Sequence, residues 1–190
     1  NVDEAGKKTY FNHYRSFNLN RKPLEGDALL RCFFEQKGEC FIWHTVWNKV
    51  YGRELIARSF PYLDKLQERL VMGEDIIFST VFYAMANKLC FCDNDCYFYY
   101  RHSQASTSIH HSRERLYGYV KDICNVFAFA ENFLKQCGRL REVERDFRLF
   151  KEKYFRIWSG NIRAAGYEKD KEIVQCLLQG FCEEELSAPG

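Results

Sequence analysis

Two adjacent carboxylates, Glu74 and Asp75, follow Gly73 and lead into the apolar run Ile76-Ile77-Phe78. A carboxylate held within hydrogen-bond reach of a ligand hydroxyl can take its proton. The same pair is equally at home at the start of a helix, where the dipole and free backbone N–H groups favour negative charge. Upstream stand Trp43 and Trp47, whose flat faces could stack on a ligand, and Lys49, whose amine could fix a hydroxyl or phosphate. Core packing competes for the tryptophans, and a solvated surface position for the lysine. Downstream, Tyr100-Arg101-His102 is followed by Ser106 and Ser108, and the plain reading of Arg101 is a strand-end surface charge.

Two further groups suggest metal chemistry. Cys90 and Cys92 would face one side of a strand, with Cys96 and His102 nearby, but a second Cys-x-x-Cys pair is missing, and small buried hydrophobes are favoured over a zinc site. Asp93-Asn94-Asp95 has the Asp-x-Asp form of a divalent-cation ligand set, yet its setting between two β-like runs favours a turn. The nine cysteines are odd in number and scattered through helix-like and strand-like segments, the pattern of reduced thiols.

These residues belong to a chain of 190, enough for one ordinary domain or a domain with an appended helical segment. Hydrophobic residues make up 46% and charged residues 28%, with three prolines, which excludes a disordered or linker-rich chain. A net charge of +2, its basic residues interleaved with acidic ones, gives no footprint for nucleic acid. No apolar run is long enough to span a bilayer, and the opening Asn1-Val2-Asp3-Glu4 is not a secretory leader. A start without Met leads us to expect a fragment of something longer.

The elements that must position the candidates follow from periodicity. Residues 1–20 lack it and are expected to be extended or poorly tied down. Pro23, then Leu24, Leu29, Leu30, Phe33 and Phe34 before Gly38, predicts a short amphipathic helix. The aromatic and β-branched run 40–51 predicts a buried strand, or a strand turning into a site. A short helix over 53–57 should break at Ser59-Phe60-Pro61-Tyr62. The strongest helix is expected over 74–88, with Ile76, Ile77, Thr80, Val81, Ala84 and Met85 as its apolar face. A hairpin pairing 89–92 with 97–100 follows, then a polar loop over 103–108. From about residue 109, three apolar stripes separated by short turns predict an antiparallel helical hairpin with an extra helix.

Read in order, Trp47-Asn48-Lys49-Val50-Tyr51, Gly73-Glu74-Asp75-Ile76 and Tyr99-Tyr100-Arg101 resemble the C-terminal half of bacterial family 2 glycosyltransferases, the inverting GT-A type that builds surface polysaccharides. In that family a Trp-x-Lys-x-aromatic segment precedes a Glu-Asp pair, and a Tyr-x-Tyr-Arg strand ending in a Ser-containing loop follows. The resemblance covers residues 25–108. The chain departs from it at Ser103, where family members often carry a second basic residue.

The resemblance implies an α+β fold, predominantly helical: residues 1–108 as the acceptor-side part of a GT-A-like domain and 109–190 as a helical tail. It implies Asp75 as the catalytic base, Glu74 orienting the acceptor or the helix start, and Trp47, Lys49, Tyr100, Arg101, His102, Ser106 and Ser108 as substrate-binding residues. Inverting transfer needs the acceptor hydroxyl deprotonated as it attacks, and a leaving diphosphate needs cationic partners, which accounts for these residue types. The expected partners are a nucleotide-sugar donor and a glycan or lipid-linked acceptor. Mg²⁺ or Mn²⁺ is expected in the full-length enzyme, with its ligands mostly outside this chain, and the fragment alone should not turn over. A cytoplasmic location at the inner face of the membrane goes with this. The basic run Arg139, Arg141, Arg145, Arg148, Lys151, Lys153 and Arg156 could lie against anionic lipid, against which stands a solvated helix laced with ion pairs. The competing class is a helical protein- or membrane-interaction module without catalytic activity.

Overall fold

A computed structural model describes residues 22–35, 43–66, 69–91 and 112–182. Its elements are β1 (Leu24–Glu25), α1 (Asp27–Glu35), α2 (Arg53–Leu63), α3 (Glu74–Met85), β2 (Lys88–Leu89), α4 (Arg113–Gln136), α5 (Leu140–Ala164) and α6 (Lys171–Cys182). The described chain is thus predominantly helical, with one small antiparallel sheet in which Leu24 pairs with Leu89 and Glu25 with Lys88.

The three C-terminal helices form as their stripes predict, and their ends have identifiable causes. Ser112 caps α4, its hydroxyl accepting the Arg115 N–H. At the other end Gly138 takes a left-handed φ of 72°, its N–H bonding the Lys135 carbonyl while the Arg139 N–H bonds that of Leu134. This paired closure satisfies the last carbonyls. The same two bonds recur at Gly166 and Tyr167 to close α5. Asp170 then starts α6 by accepting the N–H groups of Glu172 and Ile173, and Arg113 at the head of α4 reaches across to it, Nε to Oδ2, at 2.6 Å.

One hydrophobic cluster runs through α1, α3 and α4–α6. Phe127 sits near its centre, with ring centroids 5.7 Å from Phe150, 5.4 Å from Tyr154 and 5.3 Å from Phe181. Phe33 and Phe34 of α1 pack on Phe150 from the other side. Helices from both sides of the expected 108/109 boundary therefore share a core, while that boundary itself lies outside the described residues.

Several local expectations are corrected. The helix foreseen from Pro23 starts at Asp27, because residues 24–25 are drawn into the ladder with β2, and the Gly26 N–H extends it to the Asn87 carbonyl. Pro61 does not break α2, which runs on to Leu63. The proline cannot donate to the Ala57 carbonyl, but Ala57 is exposed and water reaches that group, while Tyr62 anchors the turn edge-on to Phe133. The described part of the 40–51 run is no strand. Residues 43–48 instead follow a succession of turns and bends, with Trp43 and His44 both buried. The 74–88 helix ends at Met85, where Ala86 turns extended and Lys88–Leu89 joins the sheet with β1. The partner foreseen for that segment, 97–100, lies outside the described residues, as do residues 1–20 and the loop 103–108.

The basic face foreseen on 139–156 is also divided by the packing. Tyr154 and Trp158 are buried, Lys151 is half-buried and lies 3.7 Å from Glu131, and Arg139 bonds Asp27, Glu142 and the Ala84 carbonyl. Arg141, Arg145, Arg148 and Arg156 are left facing solvent. No helix among the described residues is long and apolar enough to cross a membrane.

Candidate active site

The Glu74-Asp75 pair stands in the first turn of α3, as its composition requires. Gly73 precedes it with φ 84° and ψ 6°, a left-handed turn that redirects the chain into the helix. Glycine suits this left-handed φ, and an added Cβ would lie 2.8 Å from Ile123 Cδ1 and 3.2 Å from Val126 Cγ2 of α4, so those side chains would have to give way. Glu74 remains exposed beside Asp75, which is half-buried.

Facing Asp75 is the irregular segment 43–51. The Val46 backbone N–H donates to Asp75, and Lys49 interacts with it electrostatically. The Lys49 ammonium also donates to the Thr45 carbonyl and, at 2.8 Å, to Asn48 Oδ1. Burial raises the Asp75 carboxyl to about 6, Glu74 adds to the rise, and Lys49 and the Val46 N–H oppose it. Burial lowers the Lys49 amine to about 7, with Asp75 opposing. Acid and amine are thus both displaced toward neutrality by their burial, each opposing the shift of the other through its charge.

A second layer supports this pair. His44 is buried and its imidazole is lowered to about 4, first by burial and then by the charges of Lys49 and Lys153, so it is neutral at pH 7. Its backbone carbonyl accepts the Ser79 hydroxyl of α3 at 3.0 Å, and its ring nitrogens lie 3.4 and 3.5 Å from the Tyr154 hydroxyl of α5. Tyr51 packs 4.4 Å from the Phe82 ring, and burial together with the Asp75 charge pushes its hydroxyl upward. That hydroxyl is buried with no hydrogen-bond partner among the described residues.

Of the residues singled out in the sequence, Asp75, Glu74 and Lys49 are brought together. Trp47 lies on the same segment, 42% exposed, as a rim residue would be, whereas Trp43 is 3% exposed and packs edge-on to Tyr83 in the core. Tyr100, Arg101, His102, Ser106 and Ser108 lie outside the described residues, as do Cys92, Asp93-Asn94-Asp95 and Cys96. Three site residues were missed. His44 and Tyr51 flank the Trp-Asn-Lys segment, and a histidine inside an apolar run was the available signal for a buried polar group needing partners. Tyr154 carried no signal, because helical spacing marked it only as core.

Among the described residues no group of three or more His, Cys, Asp or Glu side chains could hold a metal ion. The described surroundings of Asp75 do not suit a cation either, because Lys49 and the Val46 N–H already bring positive charge and a donor to it. Comparison with known proteins identifies no relative: no family model, curated protein or solved structure matches the chain.

Proposed function

We propose that this chain carries the acceptor side of an inverting, GT-A-like family 2 glycosyltransferase, with Asp75 as the base. The observation that carries the proposal is the half-buried Asp75 carboxyl, raised to about 6 and set against Lys49 at the start of α3. A base whose proton affinity lies near the working pH combines the ionised form with enough driving force to take a proton. The acceptor hydroxyl gives its proton to Asp75 as its oxygen attacks the anomeric carbon of a nucleotide-sugar. The bond from that carbon to the diphosphate oxygen breaks, and the nucleoside diphosphate leaves. Glu74 orients the acceptor, Trp47 stacks on a sugar ring, and Lys49 holds a hydroxyl or phosphate. Tyr100, Arg101, His102, Ser106 and Ser108 are assigned to the donor diphosphate by resemblance alone. Mg²⁺ or Mn²⁺ on that diphosphate would be held by residues outside this chain, and no step is drawn through it.

In the protein carrying its upstream nucleotide-binding half, Asp75→Asn should lower sugar transfer by about 10²–10⁴-fold while the protein still unfolds cooperatively and at no lower temperature near neutral pH. Transfer retained within a few-fold would remove Asp75 from the role of base. An upstream segment without a βαβ nucleotide-binding pattern and its Asp-x-Asp would sink the transferase assignment as a whole.

The exposed arginines of α5 favour a second reading, peripheral contact with an anionic membrane at the cytoplasmic face, where a lipid-linked acceptor would reside. Flotation with anionic vesicles that survives Arg141, Arg145, Arg148 and Arg156 all changed to Gln would dispose of it.

A further inference from the structure

The turn that delivers the carboxylate pair is held from the far side by the C-terminal helices. Asp122, in the middle of α4, accepts with one oxygen the backbone N–H groups of both Val71, at 2.9 Å, and Met72, at 3.1 Å. Its neighbour Ile123 and, one turn on, Val126 close over Gly73, so that a Cβ there would come within 2.8 Å of Ile123 Cδ1 and 3.2 Å of Val126 Cγ2. Residues 71, 72 and 73 are therefore each gripped by one short stretch of α4. The Gly73 carbonyl then accepts the Ile76 N–H at 2.9 Å, which joins the gripped turn directly to the first turn of α3.

We propose that Asp122 is a positioning residue for Glu74 and Asp75: by holding both N–H groups it seats the 71–73 turn on Ile123 and Val126 and so sets where the carboxylates project. The proposal rests on the assignment of Asp75 as the base. The mechanism is geometric, because the groups that shift Asp75 are its own burial, Glu74, Lys49 and the Val46 N–H, with no contribution from the Asp122 charge. It is separable from folding as well. Asp122 lies on the wall of an open cavity of about 360 Å³ together with Val71, Arg115, Gly118 and Tyr119, and Val71 is exposed, so water can replace a lost acceptor.

The test uses carboxyl NMR titration of Asp75 in the full chain, beside thermal unfolding and, in the protein with its upstream half, sugar transfer. Asp122→Leu, which keeps the branching at Cγ and loses the acceptor, should bring the Asp75 midpoint down from about 6 toward its ordinary 3.8 as the turn loosens. The same variant should cut kcat by about 10-fold or more with acceptor KM little changed, the signature of a misplaced group. Asp122→Asn keeps a carbonyl acceptor and should restore both. A folded Asp122→Leu with unchanged midpoint and kcat overturns the proposal, and so does an Asn variant no better than Leu. If Leu does not fold, Asp122→Glu, which displaces the acceptor by one methylene, serves in its place, and an unchanged midpoint again overturns the clamp. A midpoint that moves in Asp122→Leu while the wild type transfers no sugar would remove the base role of Asp75 and leave the clamp standing.

Discussion

At the scale of single residues, two groups among the described residues pull the stability of this protein in opposite directions between pH 4 and 6. His44 has a folded value of about 4 against 6.5 when unfolded, so between those values the unfolded chain binds more protons and stability falls as pH falls. Asp75 has a folded value of about 6 against 3.8, so the folded chain binds more protons there and stability rises as pH falls. The two windows overlap almost completely, and their contributions should largely cancel between pH 4 and 6. Replacing Asp75 by Asn removes one side of the balance. Denaturant unfolding of Asp75→Asn across pH 6.5 to 4 should then show stability falling toward a limit of about 1.4 kcal/mol per pH unit, the slope for one proton, where the parent is nearly flat. Lys49 acts in a third window. Its folded value of about 7 lies below the unfolded 10.5, so stability should climb as pH rises from 7 toward 9, above which the raised Cys124 thiol acts the other way, and Lys49→Met should abolish that climb in the same measurement.

At the scale of elements, helix ends carry the placement of the site. Gly73 and Gly138 both adopt left-handed φ, but only Gly73 is closed over by side chains. Alanine at 138 should cost about 1 kcal/mol for backbone strain alone. At 73 the strain is joined by overpacking against Ile123 and Val126, for a total of about 2–4 kcal/mol. Thermal unfolding of the two variants checks the difference, and equal losses would mean that α4 yields to the added methyl. The 43–51 segment shows why period-based reading fails at such places. Its Trp, Val, Thr and Tyr content favours a strand, but Trp43 and His44 both turn inward and Lys49 bends back onto Thr45 and Asn48. Local hydrogen bonds and burial on two sides outweigh β-propensity there.

At the scale of the whole molecule, the helical tail is structural partner to the site rather than an appendage. Phe127 of α4 is fully buried against rings from α5 and α6, among them Tyr154, whose hydroxyl faces His44. Phe127→Ala should cost about 3–5 kcal/mol and loosen the wall behind His44, visible as an upward drift of the His44 titration in NMR as water enters. Phe60→Ala, at a side chain 60% exposed, should change stability by less than about 0.5 kcal/mol. A comparable loss in the two would contradict the placement of the core.

The sequence by itself determined the elements whose cause is local. Apolar spacing and Gly138 as a stop were enough for α4 to α6, and two carboxylates after a glycine were enough for the start of α3, because helix periodicity and chain reversal act within a few residues. Lys49 and Asp75 could be named as candidates from their residue types and from the resemblance. That they come within electrostatic reach of each other, that burial draws their proton affinities together, and that His44, Tyr154 and Asp122 stand behind them was decided only by the tertiary structure. Those contacts join residues far apart in the chain, and the desolvation that tunes the site exists only once the helices have closed over it.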